Sequence, residues 1–486
     1  MLAEPAGTCV TMGVRELCTS GRDGAVTAAS TRVVIIGGGP GGYEAALVAA
    51  QLGADVTVVE RDRAGGACVL TDCVPSKTLI ATSATMTTLA GARDLGVRAA
   101  PVVGAVDARR LYTRVKTLAT QQSVDIAARL AAEGVRVLAG EGRLADPRSV
   151  AVGDKRVGAD VVLIATGAHP RVLEGAEPDG ERILDWRQIY DLAEVPERLI
   201  VVGSGVTGAE FASAFQALGS DVTLISSRQR VLPHEDADAA AVVEEVFRRR
   251  GMTVLSRSRA AAVKRSAGSV LVTLEDGRTV TGSHCLLTVG MTPSTRGIGL
   301  EEAGVRLDAR GFAEVDRVSR TSLPGVYAAG DCTGLMMLAS VAAMQGRIAM
   351  WHALGEAVTP IRLSHVAATI FTEPEIATVG VTQAAVDAGE VDARGVKLPL
   401  ATNARAKMEG VRDGFVKLFA RQGTGVVRGG VVVSPRASEL ILAVSVAVEQ
   451  HLTVDQMAHT FAVYPSMSGS VTEAARRLMQ SAASID

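Results

Sequence analysis

Cys68 and Cys73 are separated by four residues, and Lys77 stands four positions after the second thiol, in Gly65-Gly66-Ala67-Cys68-Val69-Leu70-Thr71-Asp72-Cys73-Val74-Pro75-Ser76-Lys77. A thiol pair can cycle between dithiol and disulfide, and the reactive species is the thiolate. Pro75 suits a first helical turn, so the sequence predicts Cys73 near a helix N-terminus, where the dipole favours its thiolate. Lys77 then falls one turn further on the same face. Taken alone, the spacing also fits two buried thiols packed as small apolar groups. Zinc is disfavoured, because no second Cys or His cluster follows.

Such a pair needs elements that hold an electron carrier beside it, and the sequence supplies two copies of one. At a constant offset of 166 residues, Val33-Val34-Ile35-Ile36 leads into Gly37, Gly39 and Gly42, and Leu199-Ile200-Val201-Val202 leads into Gly203, Gly205 and Gly208. The match continues through Glu44 and Glu210, and into Asp55-Val56-Thr57 and Asp221-Val222-Thr223. Glycines between a β-branched strand and a helical pattern allow a tight turn and close approach of a pyrophosphate, which the helix N-terminus then attracts. The copies differ where the second strand ends. Glu60 lies 23 residues after Gly37 and can accept hydrogen bonds from ribose hydroxyls. The matching residue is Ser226, followed by Arg228 and Arg230, which can pair with a 2′-phosphate or form a solvated loop. Copy one is therefore read as the site of an unphosphorylated adenosine such as that of FAD, and copy two as an NADP site.

At 486 residues the chain exceeds a single core. Hydrophobic content of 48% with only 3% aromatics means cores filled by Ala, Val, Leu and Ile, as in Gly-rich α/β folds. The balance of 50 basic against 52 acidic residues offers no field for nucleic acid or an anionic membrane. Six cysteines are too few for a secreted disulfide scaffold. Residues 1–30 carry Glu4, Arg15, Glu16, Arg22 and Asp23 rather than an apolar signal, and are expected to be a flexible extension of a cytoplasmic protein. The longest apolar run, Leu440 to Val448, is too short to span a bilayer.

The thiol segment together with both glycine motifs resembles the flavoprotein pyridine nucleotide-disulfide oxidoreductases, which include dihydrolipoamide dehydrogenase, glutathione reductase and mercuric reductase. The likeness extends through Val161–Gly167, which contains Thr166 and Gly167 and resembles the family's ATG segment, and through Gly325–Asp331, which resembles its second FAD motif. It implies FAD as cofactor, Asp331 on the ribityl chain, Lys77 near the flavin paired with Glu210, and a homodimer built by the C-terminal part. Dihydrolipoamide and glutathione reductases end in a His-Pro followed by a Glu, whose imidazole shuttles the proton of thiol exchange. Here those places hold Tyr464 before Pro465, and Gly469. A phenol with a pKa near ~10 accepts no proton from a dithiol at neutral pH. His459, five residues before Tyr464, could replace the base only by a register shift and reads instead as a structural or surface residue.

The resulting expectation is an α/β protein with two Rossmann-like dinucleotide-binding domains and a C-terminal α+β dimerisation domain. Residues 31–178 are assigned to FAD, 179–295 to NAD(P), 296–356 to a central segment completing the FAD site, and 357–486 to the dimer interface. The resemblance lies nearest the NAD(P)H-quinone dehydrogenase branch. Hydride is expected to pass from NADPH, or NAD in its reduced form, to FAD, and electrons then to a quinone. A disulfide reductase using Cys68 and Cys73, a soluble transhydrogenase, and a silent FAD-binding protein remain the rivals.

Overall fold

A computed structural model describes residues 30–98, 106–266 and 268–483. The expectation of a flexible extension falls on residues 1–29, outside the described ones. The strands β1 (Arg32–Ile36) and β2 (Asp55–Glu60) flank helix α1 (Pro40–Gln51) and lie in a five-stranded parallel sheet. Its order is Val326–Ala328, Val161–Ile164, β1, β2, Arg136–Ala139. Near-continuous β-branched runs suit strands buried on both faces, and Val33 to Ile36 are at most 3% exposed. Helix α2 (Cys73–Gly91) follows from the same unit.

The second copy repeats this plan. Strands β3 (Arg198–Val202) and β4 (Asp221–Ile225) flank helix α3 (Val206–Ala217) in another parallel sheet of five. Arg32 pairs with Asp55 and Arg198 with Asp221, so the 166-residue offset is kept in strand register as well as in sequence. Each parallel sheet is accompanied by a three-stranded antiparallel meander, Gly142–Gly158 in the first copy and Ala260–Gly282 in the second.

The C-terminal part is a five-stranded antiparallel sheet covered by the helices Ala437–Glu449 and Gly469–Ala483. Buried apolar side chains of the second copy, among them Phe211 and Phe247, form one core with Leu79 of α2 and with Phe415, Phe419 and Val433 of the C-terminal sheet. Lys417, only 3% exposed on that sheet, lies 2.7 Å from Asp236 and 2.8 Å from Asp238 of the second copy. Asp236 also caps the helix Ala237–Arg249, so one carboxylate serves both the helix and the buried ammonium. No helix among the described residues is long and apolar enough to cross a membrane.

Candidate active site

A cavity of about 1340 Å³ opens at the C-terminal edge of the first sheet. Gly37, Gly39, Glu60, Cys68, Cys73, Thr166, Gly167 and Asp331 all line it, although they come from five separate stretches of chain. Parallel sheets place such crevices beyond the carboxyl ends of their strands, where the loops diverge.

The glycines show what the turns are shaped for. Gly37 and Gly203 have φ of +103° and +112°, and an added Cβ would sit 2.3 Å from the carbonyl oxygen of Ala165 or of Thr288 in the neighbouring strand connection. At Gly42 and Gly208 it would lie 1.9 Å from the oxygen of Gly37 or Gly203. These four glycines close the turn. Gly39 and Gly205 do something else: a Cβ would meet only one atom at 4.0 Å at the former and nothing within 4 Å at the latter. Each middle glycine thus leaves open space at a helix N-terminus, as a pyrophosphate requires, so both copies fit a dinucleotide.

The ends of β2 and β4 use the same contact differently. Glu60 accepts from the Gly38 N–H at 2.6 Å and the Asp62 N–H at 2.7 Å, which orients its carboxylate while leaving lone pairs for hydroxyl donors. In the second copy Ser204 replaces Gly38 and donates to the Ser226 Oγ at 2.7 Å. Ser226 is fully buried and therefore fastens the loop. Arg228 is exposed there, whereas the Arg230 guanidinium donates to the carbonyls of Pro233 at 3.4 Å and Glu235 at 3.3 Å. The two arginines that look equivalent in sequence are placed unequally.

Cys68 and Cys73 are free thiols in hydrogen-bonding contact. Cys73 is the first residue of α2, as its sequence predicts. Its expected acidity is not found. The hydrogen bond with Cys68 holds the Cys73 thiol far above its ordinary range, and burial and Asp72 act in the same direction. The Cys68 thiol is correspondingly lowered, because Cys73 donates to it, against burial and Asp72. Two sulfurs in contact stabilise one charge and resist a second, which the dipole argument for Cys73 alone leaves out.

One turn along α2, Lys77 donates to Glu210 of α3 at 2.8 Å, with 33% of the Lys77 side chain and 5% of the Glu210 side chain exposed. Burial alone would lower the lysine, but the charge and hydrogen bond of Glu210 outweigh it and hold Lys77 above its ordinary value. Glu210 Oε1 also accepts from the Phe371 N–H at 2.9 Å, and the Lys77 ammonium stands 4.9 Å from the Phe371 ring centroid. Glu210 therefore joins both nucleotide-binding copies to the C-terminal part. In the first copy its counterpart Glu44 pairs with Arg347 at 2.8 Å. Asp331, in the cavity wall, has its carboxyl pushed up to about 6 by burial and by Asp72.

Asp72 joins the site without having been expected there, although a carboxylate directly before the second cysteine is a signal the sequence carries. Tyr464 lies outside the cavity and is 84% exposed, beside Phe461 and Val463, which are 104% and 78% exposed. Gly469 opens the last helix, and its N–H donates to Ser466 Oγ. His459 is a surface residue whose Nδ1 lies 2.8 Å from the Asp455 carbonyl.

Residues 31–346 match the pyridine nucleotide-disulphide oxidoreductase family and residues 366–475 its dimerisation domain. The chain is 58% identical over 463 residues to a protein of Mycobacterium tuberculosis named NAD(P)H dehydrogenase (quinone), covering 92% of this chain and 94% of that one. It is 35% identical to a dihydrolipoyl dehydrogenase of Chlorobaculum tepidum, covering 93% of this chain and 98% of that protein. Among solved structures, LpdA of Mycobacterium tuberculosis superposes with a TM-score of 0.88 at 57% identity, over 92% of this chain and 100% of the other. The HOCl-induced flavoprotein disulfide reductase RclA of Escherichia coli shares the fold, with a TM-score of 0.82 at 24% identity over 92% of this chain and 99% of that one.

Proposed function

The chain belongs to the pyridine nucleotide-disulphide oxidoreductase family, and on that premise we propose that it is an FAD-dependent NAD(P)H:quinone oxidoreductase. Bound in the cavity of the first copy, FAD supplies the chemistry that accepts a hydride from NAD(P)H and hands electrons to a quinone. Gly39 leaves space that the pyrophosphate would fill, Glu60 would accept from the adenosine ribose hydroxyls, and Asp331 would accept from the ribityl hydroxyls. Gly203, Gly205 and Gly208 would hold the nicotinamide dinucleotide, and Glu210 would fix the Lys77 ammonium in place.

The observation that carries the quinone reading is Tyr464, with Gly469, at the places where disulfide reductases of the family put the His and Glu of proton exchange. Losing a general base costs roughly 10²–10⁴-fold in rate. A quinone makes no such demand, since its product can take protons from solvent. The high identity to a protein named for quinone reduction supports the same reading. Residues 31–178 and 296–356 are assigned to the FAD domain, 179–295 to the NAD(P) domain and 357–486 to the interface of a cytoplasmic homodimer. NADPH is preferred over NADH, with Arg228 as the main 2′-phosphate ligand.

Steady-state assays test both parts. NADPH-driven reduction of menadione is expected to be fast, and reduction of lipoamide or glutathione disulfide slow. Lipoamide turnover equal to menadione turnover overturns the assignment. Arg228→Ala should raise the KM for NADPH roughly tenfold or more, as loss of a charge-assisted hydrogen bond implies, and leave NADH unaffected. Arg230→Ala should do less, because its guanidinium is already bonded to two carbonyls. An equal change for both nucleotides in Arg228→Ala removes the arginine from the phosphate site.

A further inference from the structure

A third arginine reaches the loop after β4 from the neighbouring strand. The strand Thr253–Leu255 pairs in parallel with β4, with Leu255 opposite Ile225. Just beyond it the Arg257 N–H donates to the Arg228 carbonyl at 2.8 Å, and the Ser258 N–H to the Ser226 carbonyl at 2.7 Å. Two backbone hydrogen bonds thus fasten Arg257 against the loop that carries Arg228. We propose that Arg257 is a specificity-determining residue, whose guanidinium joins that of Arg228 on the 2′-phosphate of NADPH. This role rests on the NADP reading of the second copy and deepens it.

A comparison of the two copies shows how Arg257 comes to stand there. In the first copy Leu138 lies opposite Val59, and Gly140, two residues later, donates its N–H to the Glu60 carbonyl at 3.0 Å. In the second copy Leu255 lies opposite Ile225, but the donor to the Ser226 carbonyl is Ser258, three residues later. The second copy therefore holds one extra residue at this strand end, a bulge of the kind that re-aims a side chain beside an active site. Arg257 sits in that bulge with φ of +51°, one of four non-glycine residues with positive φ among the described residues. Side chains rarely adopt this conformation, and those that do gather at binding sites. The place also borders a dinucleotide site. In the first copy Gly140 and Glu141 line the cavity together with Glu60, Arg61 and Asp62.

The charges around the loop leave two guanidiniums for a ligand. Arg230 is bonded to the carbonyls of Pro233 and Glu235. Arg259 lies 3.7 Å from Glu275, and Arg278 donates to Asp276 at 2.7 Å and to Ser258 Oγ at 2.8 Å. Glu244 is held by Arg248 at 2.8 Å and by the Val231 N–H at 3.0 Å. Arg228 and Arg257 are exposed, and neither side chain is engaged by a carboxylate among the described residues. A phosphate monoester carries close to two negative charges at neutral pH and accepts from guanidinium forks, so it suits two such cations on adjoining segments. The ribose hydroxyl of NADH in the same place compensates neither charge.

The test follows anaerobic bleaching of the flavin in the full-length protein by NADPH or NADH, which needs no acceptor and so does not depend on a quinone being one. Adenosine 2′,5′-bisphosphate and 5′-AMP serve as competitors. Arg257→Gly removes the guanidinium while suiting the left-handed backbone. It should weaken NADPH and the bisphosphate roughly tenfold, as loss of a charge-assisted hydrogen bond implies, and leave NADH and 5′-AMP within about twofold of wild type. Arg257→Asn, also at ease with positive φ, gives the same reading should the glycine variant fold poorly. Arg257→Lys keeps the charge without the planar fork and should fall between. A wild type that binds the bisphosphate no more tightly than 5′-AMP overturns the NADP reading and this role together. A wild type that prefers the bisphosphate, and loses the preference in Arg228→Ala but not in Arg257→Gly, overturns the role of Arg257 alone. Equal losses for NADPH and NADH in Arg257→Gly overturn it as well, since they report a distorted loop.

Discussion

Asp331 shows how a single residue links pH to both folding and binding. Its carboxyl titrates near 6 in the fold because burial and Asp72 penalise the charged form, against about 3.9 in an unfolded chain. Well below pH 4 the group is protonated in both states and contributes nothing. As pH rises from there through 6, the unfolded chain releases its proton first, so stability falls until both states are ionised. Asp331→Asn should therefore stabilise the flavin-free protein at pH 7, by at most about 3 kcal/mol, the free energy of a roughly hundredfold difference in proton affinity between the two states, and change little at pH 4. The same substitution should weaken flavin retention, because an amide is a poorer acceptor for hydroxyl donors than a carboxylate. Urea unfolding at the two pH values checks the first expectation, and equal gains at both would contradict it. Cys73 illustrates the limit of reading one residue at a time: its place at a helix start was legible in sequence, but its proton affinity is set by the Cys68 contact.

At the scale of elements, the strand–turn–helix units make the two copies separable by experiment. Gly37 and Gly203 face the same obstruction, a carbonyl oxygen 2.3 Å from an added Cβ, in a backbone conformation that L side chains rarely adopt. Gly37→Ala should lower the flavin content of the purified protein severalfold. Gly203→Ala should leave the protein yellow while raising the KM for NADPH at least tenfold, a loss of about 1.4 kcal/mol or more in binding. Flavin absorbance per chain and initial rates distinguish them, and a colourless Gly203→Ala with a yellow Gly37→Ala would reverse the assignment. These units were legible because glycines at fixed offsets after β-branched runs are dictated by local backbone geometry. What was not legible depends on partners far along the chain. The sequence makes Arg228 and Arg230 look alike, but only the folded loop brings the Pro233 and Glu235 carbonyls to Arg230. Ser226 reads as a missing acid, and its role as a fastener emerges only once Ser204 is beside it.

For the whole molecule, the exposed apolar side chains include Met408, Leu442, Phe461, Val463 and Tyr464, which belong to the part that matches the dimerisation domain. Isolated surface hydrophobes are ordinary, but a fully exposed Phe461 beside Val463 and Tyr464 fits the interface proposed for the homodimer. Phe461→Asp should convert a homodimer into a monomer, read by sedimentation or light scattering, and should lower turnover if the interface completes the site. An unchanged mass would remove this segment from the interface. The position shared by Glu44 and Glu210 makes different ties in the two copies: Glu44 joins its helix to Arg347 of the later helix Ala339–Ala353, whereas Glu210 reaches outward to Lys77 and Phe371. Exchange of sequence between the copies would restore likeness at the cost of these ties. Neither copy could therefore take the other's place, although they share their glycines, one glutamate and their strand register.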